Sequence, residues 1–225
     1  MRRLLRKVRE IGFRQIIEVI AWRIIPAPVF RLTSMVILEL IPSPDPPADR
    51  SPFWAAQFDT AALRAFGHTK EMIARRFAAG AKACVMTEGT QALGYVWFGT
   101  RFHDEEDLGV RFVLSAGDSW LYDAMVAPER RGRGIYPRLL RSAAYDLRRD
   151  GTQRILIAIE TANRNSIKSH QASGARIVAK VTGLRLLGFT VARHSGGWLV
   201  GWAGAGCLPL ATQQQLLQHR TVLQI

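Results

Sequence analysis

The stretch from Trp120 to Arg149 restricts what this chain can fold into more than any other. Trp120, Tyr122, Ala124 and Val126 alternate with Leu121, Asp123 and Met125, the two-residue period of a strand rich in aromatic and β-branched side chains. Pro128 stops that strand. The turn after it, Arg130-Arg131-Gly132-Arg133-Gly134, joins backbone freedom to three positive charges. From Ile135 the period changes. Ile135, Leu139, Leu140, Ala143, Ala144 and Leu147 share one face of a helix, and Pro137 sits in its first turn, where amides lack helical partners anyway. Those unpaired N–H groups carry the positive end of the helix dipole, the glycines leave them uncovered, and the arginines can add charge-assisted hydrogen bonds. Strand, basic glycine turn and helix predict a site for a phosphate or pyrophosphate; the bland alternative is a solvated arginine-rich turn.

The chain has 225 residues, enough for one domain with a sizeable core plus an appendage. Its net charge of +13 comes mostly from arginine, and it suits nucleic acid, an anionic membrane or phosphate-bearing ligands without bearing on fold. Cys84 and Cys207 have no metal or redox spacing; they read as small buried hydrophobes in a reducing cytoplasm, and no metal is expected. Residues 1–33 hold eight Lys or Arg against Glu10 and Glu18, a net +6, interleaved with Leu4, Leu5, Val8, Ile11, Phe13, Ile16, Ile17, Val19, Ile20 and Trp22. This is the pattern of a basic amphipathic helix that lies on an anionic membrane or packs on the domain or a second subunit. Arg14, Glu18 and Arg23 rule out a spanning segment, and no cleavage site follows. Val29 to Ile41 reads as a strand. Residues 42–52, with five prolines, read as an extended linker. The expected division is a helix-plus-strand extension (1–41), the linker (42–52), the main domain (53–205) and a tail (206–225).

Within the main domain, Phe53–Phe66 reads as a helix, and Thr69 caps a second one that Gly80 ends. Ala83–Thr87 and Ala92–Thr100 form a hairpin about Glu88-Gly89-Thr90. Residues 102–107 are the strongly acidic cluster of a basic chain, read as a loop that is solvated or holds an amine. Arg154–Glu160 is a continuous apolar run, as in a buried parallel strand. Asn163 opens a helix that Gly174 closes, with Asn163, Ser166 and His170 on one side. Further strands are expected at Ala175–Val181, Leu184–Ala192 and Trp198–Ala203, and Gln213–Ile225 reads as a frayed polar end.

Taken together, the strand, Val126-x-Pro128, Arg131-Gly132-Arg133-Gly134-Ile135, the helix, the next strand, then Asn163-x-x-Ser166 and Gly174, resemble the GNAT family of acyl-CoA-dependent N-acyltransferases. The likeness runs over about residues 53–192 and is sharpest in 120–175. It implies an α+β fold of the α/β sandwich type, a mixed, mostly antiparallel sheet that splays open, flanked by helices. It also implies acetyl-CoA, or another acyl-CoA, as co-substrate. The pantetheine would pair with the backbone around Met125 and Val126, and amides from Arg131, Gly132, Arg133, Gly134, Ile135 and Tyr136 would cradle the pyrophosphate, with Asn163 and Ser166 nearby. Three positions depart from the family's pattern, one of them Ala175, where a phenylalanine is usual after Gly174. Tyr136 stands where Gly or Ala is usual, and His170 stands where many members carry a proton-donating tyrosine.

The resemblance further implies direct attack of an amine on the thioester. Proximity, polarisation of the carbonyl by a strand amide near Met125 or Val126, and proton transfer would be the enzyme's tasks. His170 is the candidate acid, and Asp123 and Glu160 are candidate bases; each also has a plain structural reading, as a half-buried helix residue or a strand carboxylate. Asp123, mid-strand, needs a partner if buried, and alternation puts it opposite Trp120 and Tyr122. The expected partners are a small-molecule amine and, through residues 1–33, the inner face of an anionic membrane, with a homodimer left open. Two other readings remain: a membrane-associated protein binding CoA or an acyl carrier without transfer, and a basic nucleic-acid binder. Against the second, no aromatic-interleaved basic strand or nucleic-acid module is present, so no nucleic acid is expected.

Overall fold

The computed structural model describes residues 29–48, 52–55, 60–105, 110–194 and 197–202. The amphipathic segment before Val29 and the polar end at 213–225 lie outside them. Strands β1 (Phe30–Leu40), β2 (Phe53–Trp54), β3 (Lys82–Glu88), β4 (Gln91–Gly99), β7 (Asp118–Val126), β8 (Arg154–Glu160), β9 (Arg176–Leu186), β10 (Phe189–His194) and β11 (Gly197–Trp202) form one sheet. Its order is β11-β10-β9-β1-β8-β7-β4-β3-β2. Among the described strands only β7 and β8 run parallel. A hairpin of β5 (Phe102–Glu105) and β6 (Val110–Val113) stands apart. The helices are α1 (Ala61–Arg64), α2 (Lys70–Ala78), α3 (Ile135–Arg149) and α4 (Arg164–Ala172).

Alternation along the strands divides the core between two faces. On one, Val36, Leu38, Val96, Phe98, Leu121, Ile155, Ile157 and Ile159 meet the apolar stripe of α3, and Ile167 of α4 packs against the same cluster. On the other, Tyr95 and Trp97 pack with Leu63 and Ile73 of α1 and α2. Trp120, Leu156, Met35 and Ile37 continue that second face under Phe112 of the β5–β6 hairpin.

Several sequence expectations shift. The strand at 30–40 is not peripheral: β1 pairs with β8 from Met35 to Leu40 and with β9 from Phe30 to Glu39, so it lies inside the sheet. Its unbroken apolar run, Val36–Leu38, fits a strand covered on both faces. Phe53 and Trp54 form a short edge strand on β3 rather than starting a helix, and the Trp54 indole donates to Asp146 on α3 at 3.0 Å. The acidic 102–105 segment is a strand. Thr182 and Gly183 do not break β9; the turn falls at Leu187-Gly188, both with positive φ. The caps hold as expected: Thr69 accepts from the Met72 amide at 3.1 Å, and Asn163 accepts from the Ser166 amide at 3.2 Å.

Candidate active site

The β7–β8 ladder is short. Asp118–Leu121 faces Arg154–Ile157, and there the pairing stops. From Tyr122 onward β7 stays on β4 but leaves β8, so a gap opens in the sheet beside Asp123, Ala124, Met125 and Val126. A β-bulge marks the parting. Val96 pairs with Ala124 and Trp97 with Tyr122, so Asp123 is the extra residue, held at φ +48°.

The bulge also settles where Asp123 points. Strict alternation would put it opposite Tyr122; the extra residue brings it to the α2 face beside Tyr122 instead. The Tyr95 hydroxyl donates to its Oδ1 at 2.7 Å, and Arg76 of α2 donates to Oδ2 at 2.5 Å. The Arg76 guanidinium itself lies 5.1 Å from the Trp97 ring and 5.2 Å from the Tyr122 ring. His68 Nε2 stands 3.8 Å from Asp123 Oδ2, and its imidazole is pushed below its ordinary pKa, burial outweighing the pull of Asp123. Burial drives the Tyr122 phenol up to about 12.

A cleft of about 650 Å³ opens on this face between α2, the β4–β5 turn and the bulge. Asp104, Glu105 and Asp123 line it together with Arg75, Arg76, His103 and Tyr122. His103 stacks on Trp120 with ring centres 4.9 Å apart and lies 3.7 Å from Glu105. The acidic segment singled out in the sequence is thus brought beside Asp123. Glu160, at the far end of β8, follows Leu156 and Ala158 onto the same face by alternation.

Across the gap, the other face carries the anion candidates. After a short 3₁₀ turn at Pro128–Arg130, the glycines at 132 and 134 take φ of +75° and +69°, and Gly134 caps α3 in the left-handed region. A Cβ at either would meet nothing within 4 Å, so the space beside both glycines of this turn is open. Arg131 and Arg133 are exposed; Arg131 Nε donates to the Val126 carbonyl at 3.3 Å. Arg130 is committed elsewhere, to Gln91 at 2.7 Å and Glu88 at 2.8 Å. Ile135 is a core residue, and Met125 is exposed.

Two of the residues that depart from the family pattern, Tyr136 and His170, meet. Tyr136 Oη lies 2.5 Å from His170 Nε2, and His170 Nδ1 lies 2.8 Å from the Ser166 carbonyl. A carbonyl only accepts, so the Nδ1–H donates to Ser166 and Nε2 must accept from the Tyr136 hydroxyl. Burial lowers the His170 pKa and raises that of Tyr136, so both are neutral. As placed, His170 therefore holds an acceptor toward Tyr136, not the proton foreseen for it. Asn163 and Ser166 form the frame that fixes the ring. No local sequence signal pairs Tyr136 with His170, or Arg76 and Tyr95 with Asp123; each pair spans several elements.

The depressed His68 and His170 values carry a linkage consequence. Each ring is neutral when folded but takes a proton near pH 6.5 when unfolded, so the unfolded state gains protons first as pH falls. Stability from these groups is fully present above pH 6.5 and is lost as pH drops through the folded values. Melting temperature should fall between pH 7 and pH 5, and less so in His170→Gln; equal slopes in the two proteins would contradict the assignment.

A mixed sheet that splits beside a bulged central strand, with a left-handed glycine turn at the helix after it, defines an acyltransferase-like architecture. The model of the acetyltransferase (GNAT) family matches residues 45–175, and the chain belongs to that family. Among solved structures, a GNAT-family protein from Novosphingobium aromaticivorans superposes with TM-score 0.53 at 13% identity, over 68% of this chain and 63% of that one. A GCN5-related N-acetyltransferase from Sphaerobacter thermophilus gives 0.48 at 16% identity, over 73% and 54%. A ribosomal-protein-alanine N-acetyltransferase from Brucella melitensis gives 0.43 at 24%, over 55% and 82%. The chain thus spans less than two thirds of the length of the first two. No curated protein matches.

Proposed function

We propose that this protein transfers an acetyl or other short acyl group from acyl-CoA to the amine of a small molecule, by direct attack within the β7–β8 gap. The observation that carries this reading is the gap itself, ending at the open turn over Gly132 and Gly134. The free space at those two positions and the exposed Arg131 and Arg133 fit a pyrophosphate, and the strand edge at Met125 and Val126 fits an extended pantetheine chain. The acceptor would enter from the opposite face, through the acidic cleft, which favours a cationic amine. Asp104 and Glu105 would attract it, and Glu160 and Asp123 are the candidate bases, both oxygens of Asp123 being held by Tyr95 and Arg76. Asp123 would then fix the bulge and so the strand amides that polarise the carbonyl. His170, by accepting the one hydroxyl proton of Tyr136, would hold that side chain in place at the start of α3, beside the bound acyl-CoA. Residues 1–33 would hold the protein at an anionic membrane.

The test is a thiol-release screen of acetyl- and longer acyl-CoAs against neutral and cationic amines. Release with a cationic acceptor is the expected result. Binding of CoA without release for any amine would instead favour a carrier-binding role. Replacing Arg131 and Arg133 together by Ala should weaken acyl-CoA binding roughly tenfold to a hundredfold, since hydrogen bonds to charged groups contribute about 1.5–3 kcal/mol before solvent screening. Unaltered affinity by calorimetry would sink the pyrophosphate assignment.

A further inference from the structure

Beyond α3 and α4 the sheet continues without a helix over it among the described residues. Directly paired residues share a face, so the register carries the α3 side of the sheet outward from Val36 through Lys180, then across Leu184 and Val191 to Val200. On that stretch Leu184 is 39% exposed, Leu186 50%, Val200 57% and Trp198 64%, and Leu187 at the adjoining turn reaches 69%. Scattered apolar side chains on a surface mean little, but these are contiguous on neighbouring strands.

The charge around them has one sign. Glu160 is the last acidic residue of the chain; residues 161–225 contain seven Lys or Arg and no Asp or Glu. Lys180 and Arg193 are exposed on this same face, and the Arg193 guanidinium stands 5.7 Å from the Trp198 ring. The Val29 carbonyl accepts from the Leu187 amide at 2.8 Å. The basic, apolar sequence of residues 1–28 therefore joins the fold at the edge of this patch.

We infer that this exposed face of β9–β11 is a docking surface for an anionic lipid bilayer. Trp198 and the leucines would enter the interfacial region, and Lys180 and Arg193 would meet the headgroups. A second copy of the chain fits less well, because the face carries only positive charge and would meet itself. Among the described residues no helix is long and apolar enough to cross a membrane, so the contact would be peripheral. This inference is independent of the transfer reaction.

The experiment is co-sedimentation of the full chain with phosphatidylcholine vesicles and with vesicles containing phosphatidylglycerol. Binding only to the anionic vesicles, weakened by added salt, is expected. A Leu186→Ser, Trp198→Ser variant should bind at least tenfold more weakly, and so should a Lys180→Glu, Arg193→Glu variant; thermal melts confirm that both fold. No binding to the anionic vesicles would overturn the proposal, as would full binding by both variants. So would a dimer, seen by light scattering, that the Trp198 substitution dissociates, since the face would then belong to a second copy.

Discussion

Arg154→Leu should lower stability by about 3–5 kcal/mol, the usual cost of leaving a buried charge without its partner. Arg154 sits at the closed end of the parallel pair, opposite Asp118, and the gap opens beyond the other end, after Leu121 and Ile157. Its Nε and Nη2 reach the two Asp118 oxygens at 2.5 and 2.8 Å, and Nη1 lies 3.8 Å from Glu39. The Asp118 and Glu39 side chains are 4% and 1% exposed. Glu39 keeps a second partner in Arg176, at 2.8 Å, whereas Asp118 loses its bidentate one. The hydrogen bonds Arg154 donates to Asp118 are also what raise the Arg154 pKa furthest, against the opposing effect of burial. For a chain of this length the loss corresponds to a fall in melting temperature of roughly 6–20 °C by calorimetry. Adding Asp118→Leu to Arg154→Leu should restore most of it. A single variant that melts within about two degrees of the wild type would show that the network contributes little.

The second large effect is expected at the Tyr136–His170 pair. His170→Phe should reduce turnover roughly tenfold to a hundredfold, while affinity for acyl-CoA moves much less, because leaving the buried Tyr136 hydroxyl without its acceptor costs about 1–3 kcal/mol and loosens its placement in the site. Tyr136→Phe removes the same hydroxyl and should act similarly. The two changes act through one hydrogen bond, so the double variant should be little worse than either alone. Multiplied effects would mean that the residues act separately, and a fully active His170→Phe would remove the pair from the mechanism. His170→Gln offers a check on structure, since its amide can still accept from Tyr136 and should recover part of the activity.

The local parts of this protein were readable from its residues. The strand, turn and helix at 118–149 need only a change of apolar period and two glycines, and the caps at Thr69 and Asn163 need only a side chain three residues from an amide. What could not be read depends on register between distant segments. Asp123 was recognisable as a carboxylate in want of a partner, but the bulge that turns it toward Arg76 exists only once β4 and β7 are aligned. Tyr136 and His170 each stood out as misfits to a pattern, and their pairing required α3 and α4 to be brought side by side. Of the helix foreseen at 53–66, only Ala61–Arg64 is helical among the described residues, for a related reason: Phe53 and Trp54 gain more as an edge on β3, with an indole partner on α3, than Trp54 gains from its spacing of four to Phe58. The proline-rich stretch looked like a border because composition changes there, yet the chain on its N-terminal side supplies a strand to the interior of the sheet.

That strand has a consequence for how the molecule is made. Leu40 meets Ile155 and Phe30 meets Leu186, so β1 finds its neighbours only after more than a hundred further residues have been added. During synthesis β1 emerges long before β8 and β9 exist, and contacts of such sequence separation form slowly. The folding nucleus is better sought in β3, β4, β7 and α3, which are close in sequence, with β1 entering last, as a wedge between two later strands. A chain released before β8 would carry β1 as an unpaired apolar strand, and that makes premature termination an event apt to cause aggregation.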